Sequence, residues 1–83
     1  MPNELNPRSQ VIASEIRAEM GRQRKSVAEL AESSGIPLST LRRSVNAERA
    51  FTMDELWEVG NSLGVRVSDL VAKASRAKGQ PAA

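Results

Sequence analysis

Helix-start and helix-stop signals recur along this chain at short intervals, and that punctuation restricts its fold more than any other feature. Ser26-Val27-Ala28-Glu29 and Thr52-Met53-Asp54-Glu55 each place a hydroxyl three residues before a glutamate, the arrangement in which side chain and backbone cap one another at a helix start. Asn6-Pro7 is a third start, with Asn6 as the cap and Pro7 at the first helical position, where its missing N–H costs nothing. Ser33-Ser34-Gly35 and Gly64 are stops, because glycine takes the left-handed conformation of a helix end. Between these marks the apolar residues repeat at three-to-four spacing, and no stretch alternates with period two long enough for a strand.

The spacing predicts an all-α fold, a compact five-helix bundle. The first helix runs from Pro7 to about Gly21 with Val11, Ile12, Ile16 and Met20 inward, followed by a basic break from Arg22 to Lys25. The second turns Val27, Leu30 and Ala31 inward. The third spans Leu38 to Asn46 on Leu41 and Val45. The fourth is expected to bury Met53, Leu56, Trp57, Gly60 and Leu63, and the last, from about Val67 to Ala74, to bury Val67, Leu70 and Val71. Residues 1–6 read as an N-terminal extension, 7–76 as the domain, and 77–83, with Gly79 and Pro81, as a flexible tail. With 83 residues, 40% of them hydrophobic, one modest core and one domain are expected.

Composition removes most other functions. There is no cysteine and no histidine, so disulfides, thiolate zinc sites and the commonest proton shuttle are absent. Asp54, Glu55 and Glu58 are the nearest thing to a carboxylate cluster. Two of them lie in the first turn of a helix, where negative charge complements the dipole, so no enzyme, metal site, cofactor or small-molecule ligand is expected. The only aromatics are Phe51 and Trp57, too few to stack single-stranded bases, and Trp57 is expected in the core. Apolar runs reach only three or four residues, which predicts no membrane span and a cytoplasmic, nucleoid-associated protein.

The net charge of +2 is unevenly distributed. Residues 22–49 carry Arg22, Arg24, Lys25, Arg42, Arg43 and Arg49 against Glu29, Glu32 and Glu48, a balance of +3, while residues 1–21 stand at −1 and 50–83 at zero. Nine of the twelve cations are arginine, the side chain shaped for bidentate contacts to phosphate or guanine. The basic stretch coincides with two short helices joined at Gly35, so residues 26–46 read as a helix-turn-helix, whose second helix suits a major groove about 12 Å wide.

Over about residues 12–72 the sequence resembles the lambda-repressor-like or Cro-like helix-turn-helix domains of phage and bacterial regulators, the XRE family. The resemblance is carried by Ile16-Arg17, Ser26-Val27-Ala28-Glu29-Leu30-Ala31, Ser34-Gly35-Ile36, Ser39-Thr40-Leu41-Arg42-Arg43, Asn46, Leu63-Gly64-Val65 and Leu70. Thr40-Leu41-Arg42-Arg43 followed by Phe51-Thr52-Met53-Asp54-Glu55-Leu56 looks most like members from actinobacteria or their phages. The resemblance implies a transcriptional regulator, a repressor or Cro-like protein, that occupies a double-stranded DNA operator through its third helix. Leu38, Ser39 and Thr40 would meet base edges from the first turn of that helix, with Arg43 and then Arg42 one turn further on. Arg24, Lys25, Ser26, the main-chain N–H of Val27, Asn46 and Arg49 are the phosphate candidates. Leu38 is open between a thymine methyl and the core.

The chain departs from the family at two places. Val27 stands where the family usually has a glutamine that bonds the DNA backbone, and Pro37 where a serine or threonine usually caps the third helix. A homodimer on DNA is possible, with Val71 or Ala74 of the last helix as its surface, and a monomer reading an asymmetric site is the other possibility. At this length no added dimerisation, peptidase or ligand domain is expected. The alternative function is an antitoxin-like module that uses the same bundle to bind a partner protein.

Overall fold

A computed structural model describes residues 6–76, and within them the chain is five helices with no strand. They are α1 (Pro7–Gln23), α2 (Val27–Ser34), α3 (Leu38–Val45), α4 (Met53–Leu63) and α5 (Val67–Arg76). No helix among the described residues is long and apolar enough to cross a membrane. The expected tail, residues 77–83, and all of the expected extension except Asn6 lie outside the described residues.

The start signals act as their chemistry dictates. The Asn6 carboxamide oxygen accepts from the Ser9 N–H at 2.9 Å. Both capping boxes close: the Glu29 N–H donates to Ser26 Oγ at 3.1 Å while the Ser26 N–H donates to Glu29 Oε1 at 2.8 Å, and Thr52 with Glu55 repeats this at 3.1 and 2.9 Å. At the stops, Gly35 and Gly64 take φ of 80° and 73°, the left-handed region open to glycine. The end of α1 differs from the expectation. The helix runs past Gly21 and closes at Arg24, φ 54°, because its last turn is held by side chains: Glu19 accepts from Arg22 at 2.7 Å and from Gln23 at 2.8 Å, and Gln23 also donates to the Leu63 carbonyl at 2.6 Å.

The core is built from Ile16 and Met20 of α1, Leu30 of α2, Ile36 between α2 and α3, Leu41 and Val45 of α3, Leu56, Val59 and Leu63 of α4, and Leu70 of α5. Helix α1 packs on α5, α3 and α4, and α2 packs on α3 and α4. Val27 and Ala31 are half-buried against this cluster, as are Ile12 and Val67. Val11 is also half-buried, and Ala13 takes a fully buried place on α1 that was not expected of it.

Two inward faces are rotated from the expectation. On α4 the buried line is Leu56, Val59, Gly60 and Leu63, while Met53 and Trp57 are 63% and 61% exposed. At about 100° per residue, Trp57 lies roughly 110° around the helix from the middle of that line. The rotation follows from Gly60, whose bare Cα faces the carbonyl of Val65 at the approach of α5 and so must point inward. On α5, Leu70 and Ala74 are buried and Val71 is 41% exposed, so Ala74 is a core residue and not part of an outer surface.

Candidate nucleic-acid interface

Helices α2 and α3 are joined by Gly35, Ile36 and Pro37, and the join is anchored from inside. Ser34 is buried, and its hydroxyl accepts from the Ile36 N–H at 3.3 Å, steering the Ile36 side chain into the core. The Gly35 N–H closes α2 on the Ala31 carbonyl at 2.9 Å. Pro37 then opens α3 without any side-chain cap, as its chemistry requires.

Helix α3 is two-faced. Leu41, Ser44 and Val45 are buried, and Ser39, Arg42, Arg43 and Asn46 are exposed. Ser39 precedes Arg42 and Arg43 by three and four residues, and these precede Asn46 by four and three, so the four side chains form one outward stripe. Leu38 sits at the edge of that stripe, 37% exposed, and Thr40 is half-buried. Neither Arg42 nor Arg43 has an ion-pair or hydrogen-bond partner among the described residues, whereas Arg22, Arg49, Arg66 and Lys73 each face a carboxylate.

The carboxyl end of α3 is clamped by two side chains, one from α1 and one from the loop that follows. The Arg17 guanidinium of α1 donates to the Val45 carbonyl at 2.6 Å, occupying an acceptor that the helix end leaves open. Arg49, in the loop after α3, donates to the buried Ser44 hydroxyl at 2.6 Å and to Glu55 Oε1 at 3.0 Å. Glu55 also caps α4 through Thr52. Burial pushes its carboxyl up, but hydrogen bonds from Thr52 and Arg49 and the Arg49 charge outweigh this and hold it below the ordinary carboxylate range. Ala47 turns the chain with φ 63°, and the Glu48 N–H closes back on the Arg43 carbonyl at 2.8 Å.

The phosphate candidates fall into two groups. Arg24 and Asn46 are exposed caps at the ends of α1 and α3, and Ser26 and Val27 form the start of α2, with the Ser26 hydroxyl already engaged by Glu29. Lys25 and Arg49 are turned to internal partners. Lys25 Nζ donates to the Ser62 carbonyl at 3.3 Å, and Arg49 holds the bridge just described. Sequence reasoning missed Arg17, Ser44 and Glu55 as the supports of α3. The Thr52–Glu55 spacing marked Glu55 as a cap, but nothing local marks a bond from Arg17 to a carbonyl 28 residues away.

Comparison with protein-family models, with curated proteins and with solved structures gives no match.

Proposed function

We propose that this chain is a sequence-specific reader of double-stranded DNA, a helix-turn-helix regulator that lays α3 in the major groove and acts by occupying its operator. The observation that carries the reading is the outward stripe of α3: two guanidiniums without a partner among the described residues, together with Ser39 and Asn46, on a helix clamped at its carboxyl end. With its side chains an α-helix is about 10–12 Å across, matched to a groove about 12 Å wide. Arg43 is the side chain for bidentate contact to guanine, with Ser39 and Thr40 ahead of it on base edges and Leu38 at the rim for a thymine methyl. Arg42 flanks the stripe, within reach of a base or a phosphate.

Arg24, Asn46 and the free N–H groups at the start of α2 grip phosphates on either side. Arg49 acts mainly by positioning, since its guanidinium is already committed to Ser44 and Glu55, and Lys25 is likewise turned to Ser62. Rigid support of this kind favours readout, because a side chain that must find its base edge benefits from a backbone that does not move.

The test is selection of duplexes from a random pool at about 150 mM salt, where non-specific phosphate binding is already weakened. An enriched motif is expected. Arg43→Ala should relax discrimination at one base position by about 1–3 kcal/mol, and reversal of both Arg42 and Arg43 to Glu should abolish binding. A folded protein that enriches no motif overturns the proposal, as does full binding by the doubly reversed variant.

A further inference from the structure

Trp57 is the only tryptophan of the chain, and α4 turns it toward water. Met53 lies one turn before it on the same side, equally exposed, so the two make a continuous apolar strip. The indole rims a groove of about 270 Å³ whose opposite wall is the start of α5. Scattered surface apolar residues need no explanation, but a large aromatic and a methionine in register beside a groove form a patch that water does not favour.

The two edges of this patch carry opposite charge. On the α5 edge stands Arg66, whose side chain is 83% exposed and whose partner Asp69 is 3.9 Å away, the outer limit of an ion pair. On the other edge, away from Gly60 and its contact with Val65, Asp54 and Glu58 lie one turn apart in the exposed flank of α4.

We propose that this face pairs with a second copy of the chain about a two-fold axis passing close to Trp57. In such a contact the same patch meets itself, so a residue opposite another on the partner receives the reciprocal contact as well. An acidic edge on one side of Trp57 and Arg66 on the other satisfies that symmetry twice, because each edge falls against its complement. A patch flanked by one sign of charge on both sides would repel its own copy. The surface is small beside the roughly 20–30 residues a side of a standard interface, so association is weak and Trp57 dominates it. The pairing stands independently of DNA reading.

The experiment is sedimentation of the purified full chain from about 10 μM to about 1 mM, with Trp57 fluorescence recorded alongside. Self-association is expected within this range, with emission shifting to the blue as the indole leaves water. Trp57→Ala should weaken association by roughly tenfold or more. Glu58→Arg alone and Arg66→Glu alone should each suppress it, while an equimolar mixture of those two variants forms a heterodimer, since each reversed edge meets its complement. All three positions are exposed, and circular dichroism checks that each variant is folded. A monomer across the whole range, its indole still in water, overturns the second copy as the occupant and leaves the face to a different protein. Self-association that ignores Trp57→Ala, or a mixture that stays monomeric, overturns the assigned surface.

Discussion

Replacing Gly60 with alanine sets two well-measured effects against each other. Alanine inside a helix is favoured over glycine by about 1 kcal/mol, so on α4 alone the substitution stabilises. A Cβ at Gly60, however, would lie 2.6 Å from the carbonyl oxygen of Val65, a backbone atom, and 3.6 Å from a Val67 methyl. Ordinary contact between such atoms begins near 3.4 Å, so the α4–α5 junction would have to move by roughly 0.4–0.8 Å. That junction is also closed by the Val65 N–H bonding to the Gly60 carbonyl at 2.9 Å, and it has little slack. Overpacking of this kind costs about 1–3 kcal/mol, and a backbone obstacle places it toward the upper end. The net is a loss of about 1–2 kcal/mol, which for a domain of this size lowers the thermal midpoint by roughly 4–16 °C. Gly21→Ala is the control, since nothing lies within 4 Å of the added carbon, and it should raise the midpoint through helix preference alone. Thermal melts of both variants by circular dichroism decide the matter. If Gly60→Ala is as stable as Gly21→Ala, then α5 can yield at no cost, and Gly60 does not set the rotation of α4.

Arg49→Met should cost about 1–3 kcal/mol of stability by leaving the buried Ser44 hydroxyl and the Glu55 carboxylate without their partner, and should weaken motif selection more than salt-dependent, non-specific binding; equal weakening of both would mark Arg49 as a phosphate contact instead. Acid should destabilise the domain. Glu19 is held below the ordinary carboxylate range by hydrogen bonds from Gln23 and Arg22, Glu29 by the Ser26 backbone N–H, and Glu55 by Thr52 and Arg49 against its burial. Each folded carboxyl is thus more acidic than its unfolded counterpart, so its contribution is complete above the unfolded range of about 4–4.5 and is lost as pH falls through the lower folded value. Thermal midpoints should hold from pH 7 to about 5 and drop below, with Glu55→Gln flattening part of the fall; a constant midpoint down to pH 3 would refute the assignment.

Much of this fold is legible without coordinates because it is written in short-range hydrogen bonds. Asn6, Ser26 and Thr52 cap within three residues of themselves, and Gly35 and Gly64 reverse the chain by their own conformational freedom, so the starts of α1, α2 and α4 and the ends of α2 and α4 follow from local chemistry. The outward stripe of α3 is legible for the same reason, since Ser39, Arg42, Arg43 and Asn46 are related by helix geometry alone.

What tertiary structure decided is where one helix meets another. Met53, Leu56, Trp57, Gly60 and Leu63 form a plausible inward face at helical spacing, and only the approach of α5 to Gly60 rotates α4 so that Val59 goes in and Trp57 stays out. On α5, Val71, expected both in the core and on the outer surface, stays out, and Ala74, expected only on the outer surface, goes in, because Leu70 and Ala74 are the side chains the bundle covers. The clamp on α3 depends on partners 5, 6 and 28 residues apart, and the turning of Lys25 to Ser62 spans 37. A helix start is determined by a donor and an acceptor that are already neighbours in the chain. The facing of a wide apolar stripe and the partner of a long cationic side chain are determined by surfaces that meet only when the helices pack.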